Sequence, residues 1–134
     1  MIGRLLQAVL LVLGAAGSTR ADPLCAGARP ALSAQLLFGL SRPDGGRVPR
    51  AAFDRFLAER VTPRFPDGLT VFSGQSQWRG PDGRRVHEPA RIVLIVTDAT
   101  PEAVAALRTI QEAYRSRFAQ SAVGLVLQRS CALF

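Results

Sequence analysis

Lysine is absent from the 134-residue sequence, and histidine, tryptophan, tyrosine and methionine each occur once. Each scarcity removes a class of chemistry. Zinc needs three or four converging ligands, which one histidine, His87, and two cysteines do not supply, and no carboxylates are spaced as a metal cluster, so no metal site is expected. Ser73 and Ser76 have no evident His–Asp partnership for a hydrolase triad. No glycine-rich phosphate loop follows a strand, so no cofactor is expected. All 17 basic residues are Arg, and they are spread along the chain. A nucleic-acid groove calls for a basic stripe with interleaved aromatics, so specific nucleic-acid binding is not expected. The formal charge of +7 allows only general attraction to anionic surfaces. Arginine without lysine, among many Ala, Gly and Pro residues, reads as a GC-rich bacterial coding bias.

What is present begins with MIGRLLQAVLLVLGAAGSTRADPLC, which has the order of a secretory signal: Arg4, the apolar stretch Leu5 to Leu13, then small residues. Thr19-Arg20-Ala21 fits a cleavage site, giving residues 1–21 as signal peptide, 22–33 as an extended lead-in and 34–134 as one domain. The apolar run is short for a membrane anchor, and bulky Leu24 before Cys25 disfavours lipoprotein processing. The expected location is exported, periplasmic or secreted, with no transmembrane segment in the mature form. From Asp22 onward, 15 arginines face 10 acidic residues, a net charge of +5. Two cysteines, Cys25 and Cys131, bracket this part. In an oxidising compartment an even count favours a bridge over two unrelated small core residues.

Periodicity then orders the chain. Ala34 to Leu40 reads as a strand, with Leu36, Phe38 and Leu40 on one face and Leu37 on the other. PRAAFDRFLAERV reads as a helix entered through Pro49, carrying Phe53, Phe56, Leu57 and Val61, and ended by Pro63. Pro66-Asp67-Gly68 turns the chain into the strand LTVFSGQSQW, whose Gly74 marks a bulge or an edge. A Gly80–Gly83 turn leads into RRVHEPARIVLIV as a hairpin partner. The apolar run Ile92 to Val96 suits a central strand covered on both sides. Thr100 as N-cap and Pro101 open a second helix along Val104, Leu107, Ile110, Tyr114 and Phe118. Val123 to Leu127 closes the set. The order βαββαβ is the ferredoxin-like plan: an α+β fold, a four-stranded antiparallel sheet in order 4-1-3-2, and two helices on one face. In it Cys25 and Cys131 fall at the same end of the sheet, which independently supports their bridge.

The segments LLFGLSRPDG, VTPRFPDGLTVFSGQSQWR, Glu88 and AYRSRFAQ resemble the bacterial domain of unknown function 3574 family, from about Leu36 to the end of the last strand. The resemblance implies an exported bacterial protein and carries over no activity and no catalytic residue. Family members often place an acidic residue after the glutamine that ends the last helix; this chain has Ser121 there.

Candidate ligand-binding residues are Trp78, Glu88, Gln77, Arg64 and His87. His87 and Glu88 are adjacent on a strand and point to opposite faces, which makes them poor partners. Glu88 falls near Gln75 or Gln77 across the hairpin, with Arg64 or Arg79 in reach for an ion pair; such a pair is more often structural than catalytic. Trp78 is read as hairpin packing or, second, as a stacking ring. Tyr114 and Arg117 suit packing with a charged tip.

A ferredoxin-like sheet leaves one face without helices. With Leu36, Phe38, Leu40, Ile92, Leu94, Leu125 and Leu127 toward the helices, Leu37, Val93, Ile95 and Val126 form an apolar patch on the other side, the mark of a contact surface. The expected partner is a second copy, in a sheet-to-sheet homodimer, or an envelope protein. Two functions compete: a periplasmic binding or accessory module, and a dimeric α+β-barrel enzyme with a small-molecule cleft near the sheet. The near absence of histidine and the bridging of both cysteines favour the first.

Overall fold

A computed structural model, describing residues 23–134, has the element order β1 (Arg29–Gly39), α1 (Arg50–Phe56), β2 (Thr70–Arg79), β3 (Arg85–Thr97), α2 (Pro101–Phe118) and β4 (Gly124–Ala132). The expected signal segment lies outside the described residues. The four strands form one antiparallel sheet in the order β2-β3-β1-β4, the α+β ferredoxin-like arrangement.

Both helices form where their end signals stand. Pro49, fixed at φ −65°, precedes α1, which continues as a π-helical turn, Leu57–Val61. In α2 the Thr100 Oγ1 accepts from the Ala103 N–H at 3.1 Å, with Pro101 following and Glu102 in the first turn. These features satisfy an orphan donor and complement the helix dipole. The helix stops at Ala119, a non-glycine residue in the left-handed region at φ 53°. Such a conformation costs about 1–2 kcal/mol. It is held by the Gln120 N–H donating to the Arg115 carbonyl at 3.1 Å and by Gln120 Nε2 donating to the Ser41 carbonyl at 2.7 Å.

The apolar stripes of α1 and α2 meet the sheet in an aromatic core. Phe38 packs 5.6 Å from Phe53, 6.0 Å from Phe56 and 4.5 Å from Tyr114, measured between ring centroids. Phe56 and Tyr114 both reach Phe118. Most of these pairs are edge-on, the geometry that the ring quadrupole favours.

The strands at the sheet's far end are longer than the sequence pattern indicates. β1 begins at Arg29 rather than Ala34, and β4 continues past the apolar VGLVL stretch to Ala132, closing beside Cys131 as expected. The added residues, Arg29 to Ser33 and Gln128 to Ala132, have little apolar alternation of their own. They are strand because each supplies the other's ladder partners, from Ser33 opposite Gln128 to Pro30 opposite Cys131. Cys25 and Cys131 are bridged, with Cα atoms 5.4 Å apart and 106 residues between them in sequence. A loop of that length removes unfolded-chain entropy worth roughly 4–5 kcal/mol in the chain-entropy account.

One expectation is corrected outright. Val93 and Ile95 do not face away from the helices: both are fully buried in the core, opposite Leu36 and Ala34. Ile92, Leu94 and Val96 occupy the helix-free face and are only half-buried, so β3 is covered on one side. An unbroken apolar run carries no period-two signal, and a slip of one residue exchanges the two faces. The register that decides the matter comes from the turn at Gly80–Gly83, where the Gly80 N–H donates to the Arg84 carbonyl at 2.8 Å. Counting from it puts Trp78 opposite Val86 and Phe72 opposite Ile92.

Candidate functional site

The same hairpin register builds the most particular group of side chains in the protein. Ser76 lies opposite Glu88 and Trp78 opposite Val86, so Trp78 and Glu88 are diagonal neighbours on the helix-free face, within reach for long side chains. Trp78 Nε1–H donates to Glu88 Oε1 at 2.9 Å, and the Ser41 N–H donates to Glu88 Oε2 at 3.0 Å. Glu88 is 7% exposed, the one buried charged residue among those described. A carboxylate taken out of water is costly unless it is hydrogen-bonded. Charge-assisted donors of this kind contribute about 1.5–3 kcal/mol each.

The carboxylate fits only because Gly39 lacks a side chain. A Cβ at that position would lie 2.6 Å from Glu88 Oε1. The Gly39 carbonyl accepts from the Tyr114 hydroxyl at 2.9 Å, which ties the site to the aromatic core behind it. Burial pushes the Tyr114 hydroxyl well above the usual phenol range; the negative charge of Glu88 adds to the rise and Arg91 opposes it. Tyr114 is therefore a fixed donor.

In front of Glu88 lies a hollow of about 260 Å³, lined by Leu37, Ser76, Trp78, Glu88, Gln120 and Gly124 among others. Gly124 stands opposite Leu37 in the ladder, and a Cβ there would meet the Leu37 side chain at 2.9 Å. A second concavity of about 540 Å³ flanks it, and Trp78, Glu88, Gln120 and Ser121 border both. Apolar wall, buried carboxylate and amide rim together can orient a small ligand. Ser76 stands opposite Glu88 in the ladder, but the carboxylate accepts from Trp78 and Ser41, and no hydrogen bond joins it to the Ser76 hydroxyl among the described residues.

Of the residues singled out from the sequence, Trp78 and Glu88 meet directly. Gln77 and His87 stand opposite each other on the other face of the hairpin, both exposed. Gln75 and Gln77 therefore do not approach Glu88 across the ladder; Ser76 does. Arg64 is exposed and donates to the Arg60 carbonyl at 2.7 Å. Neither Arg64 nor Arg79 forms the expected ion pair with Glu88, whose partners are two N–H groups. Leu37 and Val126 lie on the helix-free face at 38% and 49% exposure. Among the described residues, no group of three His, Cys, Asp or Glu side chains converges.

Gly39, Ser41 and Gln120 were missed as site residues. Each acts through a backbone contact made across long sequence separation, which no local pattern reports. The AYRSRFAQ segment is the only signal that pointed to Gln120.

Comparison with known proteins agrees with this geometry at the level of fold. The profile of the family described as "Protein of unknown function (DUF3574)" matches residues 33–134. No curated protein is similar in sequence. Among solved structures, a phage SAM lyase in complex with S-methyl-5'-thioadenosine superposes with a TM-score of 0.61 at 14% identity, over 76% of this chain and 90% of that one. CutA1 from Oryza sativa gives 0.51 at 9% identity, over 77% and 82%. CutA from Synechococcus elongatus PCC7942 gives 0.51 at 12% identity, over 78% and 80%. At such identities the shared feature is the fold alone. The chain belongs to the DUF3574 family.

Proposed function

We propose that this DUF3574 member is an exported binding module whose working surface is the helix-free face of the sheet, packed in the mature protein against a second copy of itself. The observation that carries the reading is where the charge goes. Arg79, Arg85, Arg91 and Arg129 all take strand positions on the helix side. The helix-free side instead carries Leu37, Phe72, Ile92, Leu94, Val96 and Val126, with Gln35 and Ser33 between them. Arg29, at the far end of β1, is the exception, and it is paired with Asp98. In a chain of formal charge +7, an apolar surface kept clear of arginine is one on which two copies can meet without like-charge repulsion. Apolar patches of that kind mark contact sites. The Cys25–Cys131 bridge supports the oxidising compartment. Among the described residues no helix is long and apolar enough to cross a membrane.

A second reading, a small-molecule site enclosed by the pair, is favoured by the hollow in front of Glu88. The phage SAM lyase neighbour holds a small ligand, S-methyl-5'-thioadenosine, which makes the fold compatible with this reading and goes no further.

Sedimentation equilibrium on the oxidised domain, residues 22–134, with the Ile92→Arg and Leu94→Arg variants, tests the first reading. The expected result is a dimer that either variant converts to folded monomer. A wild-type monomer would overturn self-association.

A further inference from the structure

Among the described residues the Glu88 carboxylate has no cationic partner. Six ion pairs occur among the described residues, and none includes it. Its two oxygens accept one N–H each, whereas a carboxylate offers about four lone-pair sites. The unused acceptor capacity borders the 260 Å³ hollow. Gln120 adds to it: its Nε2 is committed to the Ser41 and Phe118 carbonyls, and its Oε1 has no partner among the described residues. Arg42, which borders the adjoining concavity, is held by Asp44 at 2.9 Å.

We propose that this hollow binds a small organic amine in its ammonium form, with the N–H donors on Glu88 and Gln120 Oε1 and the apolar part of the ligand against Leu37 and Trp78. The proposal rests on the reading of the helix-free face as a binding surface. Charge decides the class. A buried carboxylate repels an anionic ligand, and a neutral one leaves its charge uncompensated. An ammonium supplies both donors and charge. Size limits the ligand further, because the hollow is smaller than the roughly 300–1,000 Å³ usual for cofactor sites. The protein's positive charge opposes the approach of a cation only weakly at physiological salt, where charges beyond about 8 Å are largely screened.

Trp78 is the sole tryptophan, so its indole N–H gives a single resonance that reports on this site alone. The test titrates the oxidised protein with benzylamine, benzyl alcohol and benzoate, three probes of similar shape that differ in charge. Benzylamine is expected to shift the indole resonance saturably and to bind at least tenfold more tightly than the other two. Glu88→Gln, which retains an acceptor for Trp78, is expected to abolish that preference. Ser121→Glu, a change at the exposed rim, is expected to tighten benzylamine binding about threefold and keeps the test open if Glu88→Gln fails to fold. Equal binding of the three probes, no saturable shift with benzylamine, a preference that survives in folded Glu88→Gln, or unchanged affinity in Ser121→Glu would each overturn the proposal. Failure here leaves the molecular mass in sedimentation untouched, so it is distinguishable from failure of the self-association reading.

Discussion

The two faces of one sheet follow opposite rules. Toward the helices, Leu36, Phe38, Val93 and Ile95 are fully buried against Phe53, Phe56 and Tyr114, and that side also carries Arg79, Arg85, Arg91 and Arg129. Away from the helices, Leu37, Phe72 and Val126 are more than a third exposed, the one strand arginine is Arg29, paired with Asp98, and a carboxylate is sunk at one end. The covered face is apolar because folding demands it. The uncovered face is apolar although folding does not demand it, and that difference is what the proposed function rests on.

The largest predicted effect comes from moving one substitution by a single residue. Val93→Arg places an unpaired charge in the core and is expected to cost upward of 3–5 kcal/mol, enough to prevent folding of a marginally stable domain. Ile92→Arg, one residue away, is expected to lose the stability that association adds but to leave the folded monomer's own stability within about 1 kcal/mol. Urea unfolding followed by circular dichroism separates the two. Similar losses for both would mean that the faces are not distinct.

A smaller effect is expected where the faces are joined. Gly39→Ala directs a methyl group at the Glu88 carboxylate and must displace it from Trp78 and Ser41. The expected cost is about 1–3 kcal/mol, the range for overpacking, with a shift of the Trp78 indole resonance. An unmoved resonance would show that the carboxylate does not depend on the missing side chain.

Smallest is the Tyr114 hydroxyl. Its pKa is raised in the folded state, so the protonated form is favoured by folding. The associated stability is fully present below the ordinary phenol value of 10.0 and is lost as pH rises from there toward the folded value. Tyr114→Phe is expected to cost about 1 kcal/mol, the worth of its bond to Gly39, and to flatten that part of the alkaline decline. An equally steep decline in Tyr114→Phe would assign it to another group.

Element order, both helices, the sheet order and the cysteine pairing were all legible in the sequence, because Pro49, Thr100, Pro101 and the apolar stripes are local signals and the two cysteines had one topology to satisfy. The site was legible in part. Trp78 and Glu88 stood out by type, yet the choice of Gln77 over Ser76 and of Val93 over Ile92 both failed on strand parity. Parity in an all-apolar strand is set by the turn that precedes it, and in this chain the Gly80–Gly83 loop contained the information. Gly39 and Gln120 belong to a different class: their role is a contact between the end of β1 and the end of α2, fixed only once the core has formed.

The most direct test of the helix-free face as the working surface is sedimentation equilibrium on the oxidised domain beside its Ile92→Arg variant. A wild-type dimer and a folded Ile92→Arg monomer are the predicted result. A monomeric wild type, or a dimer that Ile92→Arg leaves intact, would contradict it.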